Sequence, residues 1–182
     1  QKQEQVAALK NAIRNTPRAS QQDLVQDDHG GEENYLMGLK VEGKRIAIMI
    51  DSSASMTDEA LLDIIRRKNG SDREKQNGPK WVRTKKIVRW LLARIPEGSQ
   101  VALISYGDKA KTVGQLDWNR LLSADSLKRL YSDIDTIVPT GATNLQKGLQ
   151  LVSGLKPTNI YIVTDGLPTE GEANYRSLNP FA

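Results

Sequence analysis

The stretch that most constrains the fold is residues 45–56, RIAIMIDSSASM. Residues 46–50 are apolar on both alternating faces, with Ile46, Ile48 and Ile50 on one and Ala47 and Met49 on the other. A strand reads this way when helices cover both sides of its sheet. The run stops at Asp51 and then sends out two hydroxyls, Ser53 and Ser55, at alternate positions. A hard divalent cation such as Mg²⁺ takes six oxygens at about 2.0 to 2.1 Å and keeps several waters, so one or two carboxylates plus neutral oxygens suit it. Serine hydroxyls are neutral ligands, and an ion held by them retains positive charge for an external anion. A strand ending in a Ser-rich turn is common in its own right, so D-x-S-x-S needs support from elsewhere in the chain.

Two later stretches supply it. Thr140-Gly-Ala-Thr143-Asn144-Leu145 opens a helical run, and residues 160–166, IYIVTDG, form a second apolar strand that also ends in an aspartate, Asp165. In an open α/β sheet, ligands bind outside the carboxyl ends of the strands, where the strand order reverses. Two strand ends carrying Asp, with Thr143 at a helix start between them, converge on one place. The free N–H groups and positive dipole end of that helix favour an incoming anion.

On these residues the chain resembles the von Willebrand factor type A family, which includes the integrin I domains. The family's metal-ion-dependent adhesion site consists of D-x-S-x-S, a separate Thr and a separate Asp, matched here by Asp51, Ser53, Ser55, Thr143 and Asp165. The resemblance implies a doubly wound, Rossmann-like α/β fold with a mostly parallel central sheet and helices on both faces. It implies Mg²⁺ or Mn²⁺ as cofactor, and a protein partner whose Asp or Glu completes the metal's coordination. Within that site Asp165 is expected to act through water more than Asp51 and the serines do, and Ala54, where many members have glycine, is not a ligand. The matching region is residues 35–182. The family fold continues with two more strands and a final helix, so the domain is expected to be C-terminally incomplete and its last strand, residues 159–164, to lie at a sheet edge, where unpaired backbone is an aggregation hazard. The lead-in YLMGLKVEGKRIAIMIDSSASM resembles bacterial envelope members with a membrane-anchored helical stem. That implies a periplasmic or cell-envelope location, the cytoplasm being the alternative.

Residues 1–34 are polar and read as a helical stem and linker. Val6, Leu9 and Ile13 give a short amphipathic helix closed by Pro17, followed by the linker ASQQDLVQDDHGGEE, in which His29 is expected to be solvated. Residues 35–41 are expected to be a strand turning through Glu42-Gly43-Lys44 into residues 45–50. After the cradle, Thr57 is expected to cap a helix with Leu61, Ile64 and Ile65 on one face, broken by NGSDREKQNGP at 69–79. A longer helix over 81–95 has an imperfect step at Thr84 and Lys85 and ends at Pro96-Glu-Gly98. Then come a strand at 101–106, a short edge neighbour at 111–116, and a helix marked by Leu127, Leu130, Tyr131 and Ile134, near whose end Asp133 and Asp135 point to solvent. A helix over 144–155 with Leu145, Leu149 and Val152 on one face precedes the last strand.

Composition narrows the chemistry. At 182 residues, 38% hydrophobic and 26% charged, the chain is long enough for one packed domain plus an appendage, and no apolar run reaches the roughly 18 to 20 residues of a spanning helix. It has no cysteine and a single histidine, which excludes disulfides, thiolate metal sites and Cys nucleophiles, and argues against most zinc sites. A net charge of +4 comes largely from ten cations between Arg66 and Arg89, offset locally by Asp72 and Glu74. Such a cluster suggests nucleic acid or an anionic surface as an alternative partner, weighed against a solvated face. A second alternative is a Mg²⁺-dependent phosphate-ester hydrolase with Asp51 as nucleophile. Phosphatases of the haloacid dehalogenase type place a second acid where this chain has Ser53, and no phosphate loop or triad accompanies it, so binding without catalysis is the expected activity.

Overall fold

The computed structural model describes residues 39–114, 116–121, 123–166 and 169–171. The stem, the linker with His29 and the first four residues of the expected 35–41 strand lie outside the described residues. Five strands form one sheet: β1 (Arg45–Asp51), β2 (Gln100–Tyr106), β3 (Ala110–Thr112), β4 (Asn119–Arg120) and β5 (Asn159–Val163). Its order is β3-β2-β1-β5, with β4 pairing the start of β2. β1 runs parallel to both β2 and β5, whereas β3 and β4 are antiparallel to β2. The mostly parallel α/β architecture expected from the sequence is the one observed.

β1 is central because both of its faces have an apolar layer to meet. Ile46, Ile48 and Ile50 enter one core with Trp81, Val88, Leu91 and Leu92 of helix α3 (Pro79–Ala93) and with Leu127, Leu130 and Ile134 of α4 (Ala124–Asp135). Ala47 and Met49 enter the other core with Leu145 and Val152 of α5 (Leu145–Leu155). All five β1 side chains are fully buried, and each Ile contributes roughly 1.5–3 kcal/mol relative to an exposed position. A one-residue slip would exchange bulky Ile for Ala and Met on opposite faces, so the register is strongly specified. That register pairs Ile50 with Val163 and Asp51 with Tyr106, and it lines up the loops that follow β1, β2 and β5 at one end of the sheet.

Several local expectations are corrected. The described part of the first expected strand, residues 39–41, is not strand. The Tyr161 hydroxyl of β5 occupies its backbone instead, donating to the Lys40 carbonyl at 3.3 Å and accepting from the Glu42 N–H at 2.9 Å. Thr57 does not start the next helix: it is the C-cap of a one-turn 3-10 helix, Ala54–Met56, and its hydroxyl donates to the Ala54 carbonyl at 2.8 Å. Helix α1 (Leu61–Lys68) begins after Ala60 and has no buried residue, leaving Leu61, Leu62 and Ile65 exposed. The expected break at 69–79 contains a short helix, α2 (Asp72–Gln76), started by a Ser71/Glu74 capping box. At the imperfect step of α3, Thr84 is buried because its hydroxyl donates to the Lys80 carbonyl at 3.0 Å. Asp135 does not simply face solvent: it accepts ion pairs from Lys85 at 3.3 Å and Arg89 at 2.7 Å, tying α4 to α3. β3 ends at Thr112, two residues before Gly114 turns the chain with a φ of 95°.

Candidate metal-binding site

The turn after β1 converts strand alternation into convergence. The Ser52 N–H donates to the Tyr106 carbonyl at 2.8 Å, and the Ser52 hydroxyl turns inward to Ser105 Oγ, also at 2.8 Å. With Ser52 committed to the β2 side, Asp51, Ser53 and Ser55 project the other way. Ser53 is extended (φ −73°, ψ 166°), and the 3-10 turn that follows folds Ser55 back, so that Ser53 Oγ and Ser55 Oγ lie 3.0 Å apart. Ser55 Oγ donates in turn to Asp165 Oδ1 at 3.4 Å. Asp51 is fully buried; its Oδ1 accepts the Ser53 N–H and its Oδ2 the Thr164 hydroxyl, both at 2.9 Å. The Thr164 bond follows from the register, since Thr164 is the residue after Val163 just as Asp51 is after Ile50.

Burial raises the Asp51 carboxyl above the usual carboxylate range, and the neighbouring Asp165 charge acts in the same direction. The hydrogen bonds from Ser53 and Thr164 only partly oppose this. A buried carboxylate in that condition is relieved by a cation.

The loop carrying Thr143 is bound to the cradle through the backbone. Thr140 N–H donates to the Ser52 carbonyl at 2.8 Å, and Ala54 N–H to the Gly141 carbonyl at 3.0 Å. Thr143 is itself buried. Its N–H donates to Thr169 Oγ1 at 3.0 Å, and its carbonyl accepts the N–H groups of Thr169 and Glu170, each at 3.0 Å. At the start of α5, Asn144 Oδ1 accepts the Lys147 N–H at 3.1 Å, so one of the donors expected to be free there is taken.

Four residues that sequence reasoning passed over shape this site. Asp108 accepts the Ala142 N–H at 2.7 Å and lies so close to Gly141 (φ 76°) that a Cβ there would meet its carboxylate at 2.0 Å. Thr164 and Thr169 supply the hydroxyls already described. Lys80, at the second position of α3, pairs with Asp165 Oδ2 and donates to the Ser55 carbonyl at 3.1 Å. Thr164 was readable from its place beside Asp165, whereas nothing local marks Lys80 or Asp108.

The donor set fits a hard divalent ion. Among the described residues no three carboxylate, imidazole or thiol side chains gather in one place, so a cation here depends on hydroxyl oxygens, which suits Mg²⁺ and Mn²⁺ and not softer metals. Ser53 Oγ and Ser55 Oγ are hydrogen-bonded to each other at 3.0 Å, a separation that two adjacent ligands on an octahedral ion at about 2.1 Å would also have.

The basic cluster is largely neutralised. Arg66 pairs with Asp63, Arg67 with Asp58, Lys75 with Asp72 and Arg83 with Glu59, in addition to the Lys80, Lys85 and Arg89 pairs. Asp72 is one of the two acids the sequence offered; the other compensating carboxylates, Asp58, Glu59, Asp63, Asp135 and Asp165, lie outside that stretch.

The model of the von Willebrand factor type A domain matches residues 46–167, about two thirds of the chain, and the chain belongs to that family. Similar solved structures include a von Willebrand factor type A protein from Catenulispora acidiphila (17% identity, TM-score 0.45, covering 60% of this chain and 22% of that one). Others are the vWF domain of a type V pili tip protein from Porphyromonas gingivalis (19%, TM-score 0.38, 68% and 38%) and a minor pilin from Streptococcus sanguinis (21%, TM-score 0.44, 70% and 31%). This chain thus spans less than two fifths of each of those structures. No curated protein matches it. Among the described residues no helix is long and apolar enough to cross a membrane.

Proposed function

We propose that the chain is a divalent-metal-dependent protein-interaction module, built on residues 35–182, whose cradle of Asp51, Ser53, Ser55, Thr143 and Asp165 holds Mg²⁺ or Mn²⁺ and presents it to a partner's Asp or Glu. The observation that carries this reading is the convergence of Ser53 Oγ and Ser55 Oγ, 3.0 Å apart, after the buried carboxylate of Asp51, with Ser55 Oγ 3.4 Å from Asp165 Oδ1. When bound, the ion supplies Lewis acidity toward a carboxylate oxygen. The chain's own part is to fix the ligands. Asp51 is locked by Ser53 and Thr164, and the Thr143 loop is tied to Ser52 and Ala54, so little rearrangement opposes binding.

Binding is preferred to catalysis because Ser53, and not a second acid, stands two residues after Asp51, and no phosphate loop or triad accompanies it. It is preferred to nucleic-acid recognition because the cations between Arg66 and Arg89 are largely committed to carboxylates. The bacterial-envelope location belongs to the same proposal, and fractionation of the native host tests it.

Calorimetric titration of Mg²⁺ and Mn²⁺ into the wild type and Asp51→Ala, with thermal melts alongside, decides the reading. Saturable binding lost in a folded Asp51→Ala protein is the expected result. Binding that survives the substitution overturns it, as does turnover of a phosphate ester that Asp51→Asn abolishes.

A further inference from the structure

Lys80 is placed where a cation is electrostatically unwelcome. It is the second residue of α3, beside the positive end of the helix dipole, yet its side chain is mostly buried, with 16% exposed. Its position is fixed from below. Gly78 is packed so closely that a Cβ on it would meet the Thr57 carbonyl oxygen at 2.4 Å, and the Lys80 N–H donates to that same oxygen at 3.2 Å. α3 therefore starts pressed against the turn that carries Ser55. The ammonium then bonds Asp165 Oδ2 and the Ser55 carbonyl, two groups that also border the cradle. A second carboxylate stands ready, with Glu59 Oε2 3.9 Å from Lys80 Nζ and its Oε1 held by Arg83 at 3.1 Å.

We propose that Lys80 is a tethered cation that competes with the divalent ion for Asp165, so setting the site's metal affinity, and that Glu59 receives it when metal is loaded. The inference rests on the metal-binding reading above and adds the residue that tunes it. Asp165 faces the cradle with Oδ1 and Lys80 with Oδ2, so its single negative charge is shared between two claimants. Loading the ion weakens the Lys80–Asp165 bond. The net worth of a hydrogen bond to a charged group translates into about tenfold to a hundredfold in a binding constant. A metal site throttled in this way loads only at high divalent concentration, or when an arriving carboxylate adds its own charge.

The test is calorimetric titration of Mg²⁺ and Mn²⁺ into wild type, Lys80→Met, Lys80→Gln, Lys80→Arg and Asp51→Ala, each checked by thermal melting. Lys80→Met and Lys80→Gln are expected to bind about tenfold or more tightly than wild type, and Lys80→Arg, which keeps the charge, to stay near it. Glu59→Gln should weaken binding more in the wild-type background than in Lys80→Met, because only the former needs the second berth. If wild type binds, Asp51→Ala does not, and both neutral variants bind no more tightly than wild type, the competition is refuted while the metal site stands. If neither wild type nor the neutral variants bind, the metal site itself falls, and the competition with it.

Discussion

Helix α5 offers two glycines whose replacement by alanine should move stability in opposite directions. Alanine is better than glycine inside a helix by about 0.8–1.0 kcal/mol. At Gly154 a Cβ would meet nothing within 4 Å, so the propensity gain is realised, reduced somewhat by the helix end at Leu155. The expected stabilisation is about 0.5–1 kcal/mol. At Gly148 the same Cβ would stand 2.6 Å from Met49 Cε and 3.0 and 3.1 Å from Tyr106 Cγ and Cβ. The methionine methyl can swing, but the root of a fully buried tyrosine cannot, so α5 must lift off the sheet. Overpacking of this kind costs about 1–3 kcal/mol. Set against the same propensity gain, Gly148→Ala loses up to about 2 kcal/mol. For a chain of this size 1 kcal/mol shifts Tm by about 2–4 °C, so melting separates the two variants, and urea midpoints check the order. Because only the N-cap Asn144 separates Thr143 from α5, Gly148→Ala should also weaken Mg²⁺ binding, which Gly154→Ala should leave alone. A Gly148→Ala protein that is as stable as Gly154→Ala would refute the close seating of α5 on Met49 and Tyr106.

Two further outcomes test the scaffold of the site and its surroundings. Asp108→Ala removes the acceptor of the Ala142 N–H and should lower Mg²⁺ affinity by about tenfold through the Thr143 loop, with the calorimetric stoichiometry unchanged. Glu74 is held below the usual carboxylate range by the Ser71 hydroxyl and, next, by the Ser71 N–H. Its folded pKa is thus below its unfolded one, so the stability it contributes is present above the unfolded value and disappears as pH falls through the folded one. An NMR titration should show the depressed value in wild type and a rise toward the ordinary range in Ser71→Ala, which loses the hydroxyl but keeps the backbone N–H and the Arg67 charge.

How far the sequence exposed this architecture depends on the range of the interaction that decides each element. β1 was legible because residues 46–50 are apolar at every position, a pattern few environments other than a sandwiched parallel strand can satisfy. The places of Asp51 and Asp165 followed from it, since a parallel register aligns strand ends. α1 misled because its Leu61, Ile64 and Ile65 have helical spacing, and spacing does not say whether a neighbour covers the face; here Leu61 and Ile65 are exposed. α2 was hidden because it depends on one capping box within a stretch of breakers. The pairs that neutralise the basic cluster were illegible for a different reason. Asp135 meets Lys85 and Arg89 only once α4 packs on α3, a contact some fifty residues long in the chain.

The same distinction explains why the cradle could be read and its tuning could not. Asp51, Ser53 and Ser55 belong to one turn, and their convergence needs only strand alternation followed by a 3-10 fold-back. Lys80 reaches the site by a longer route: Gly78 admits the Thr57 backbone, Pro79 starts α3 there, and the next residue's ammonium falls on Asp165, 85 residues away. Each step is steric and none is a motif. A cradle of two carboxylates and hydroxyls is weakly charged to begin with, and a built-in ammonium on one of the carboxylates leaves Asp51 as the principal negative charge directed at an ion. In the proposed competition an ion that loads displaces the ammonium toward Glu59, so Lys80 would set how readily the site fills. A carboxylate arriving from outside would then add the negative charge that helps an ion win Asp165 from Lys80, so that metal loading and partner capture would be coupled on this reading.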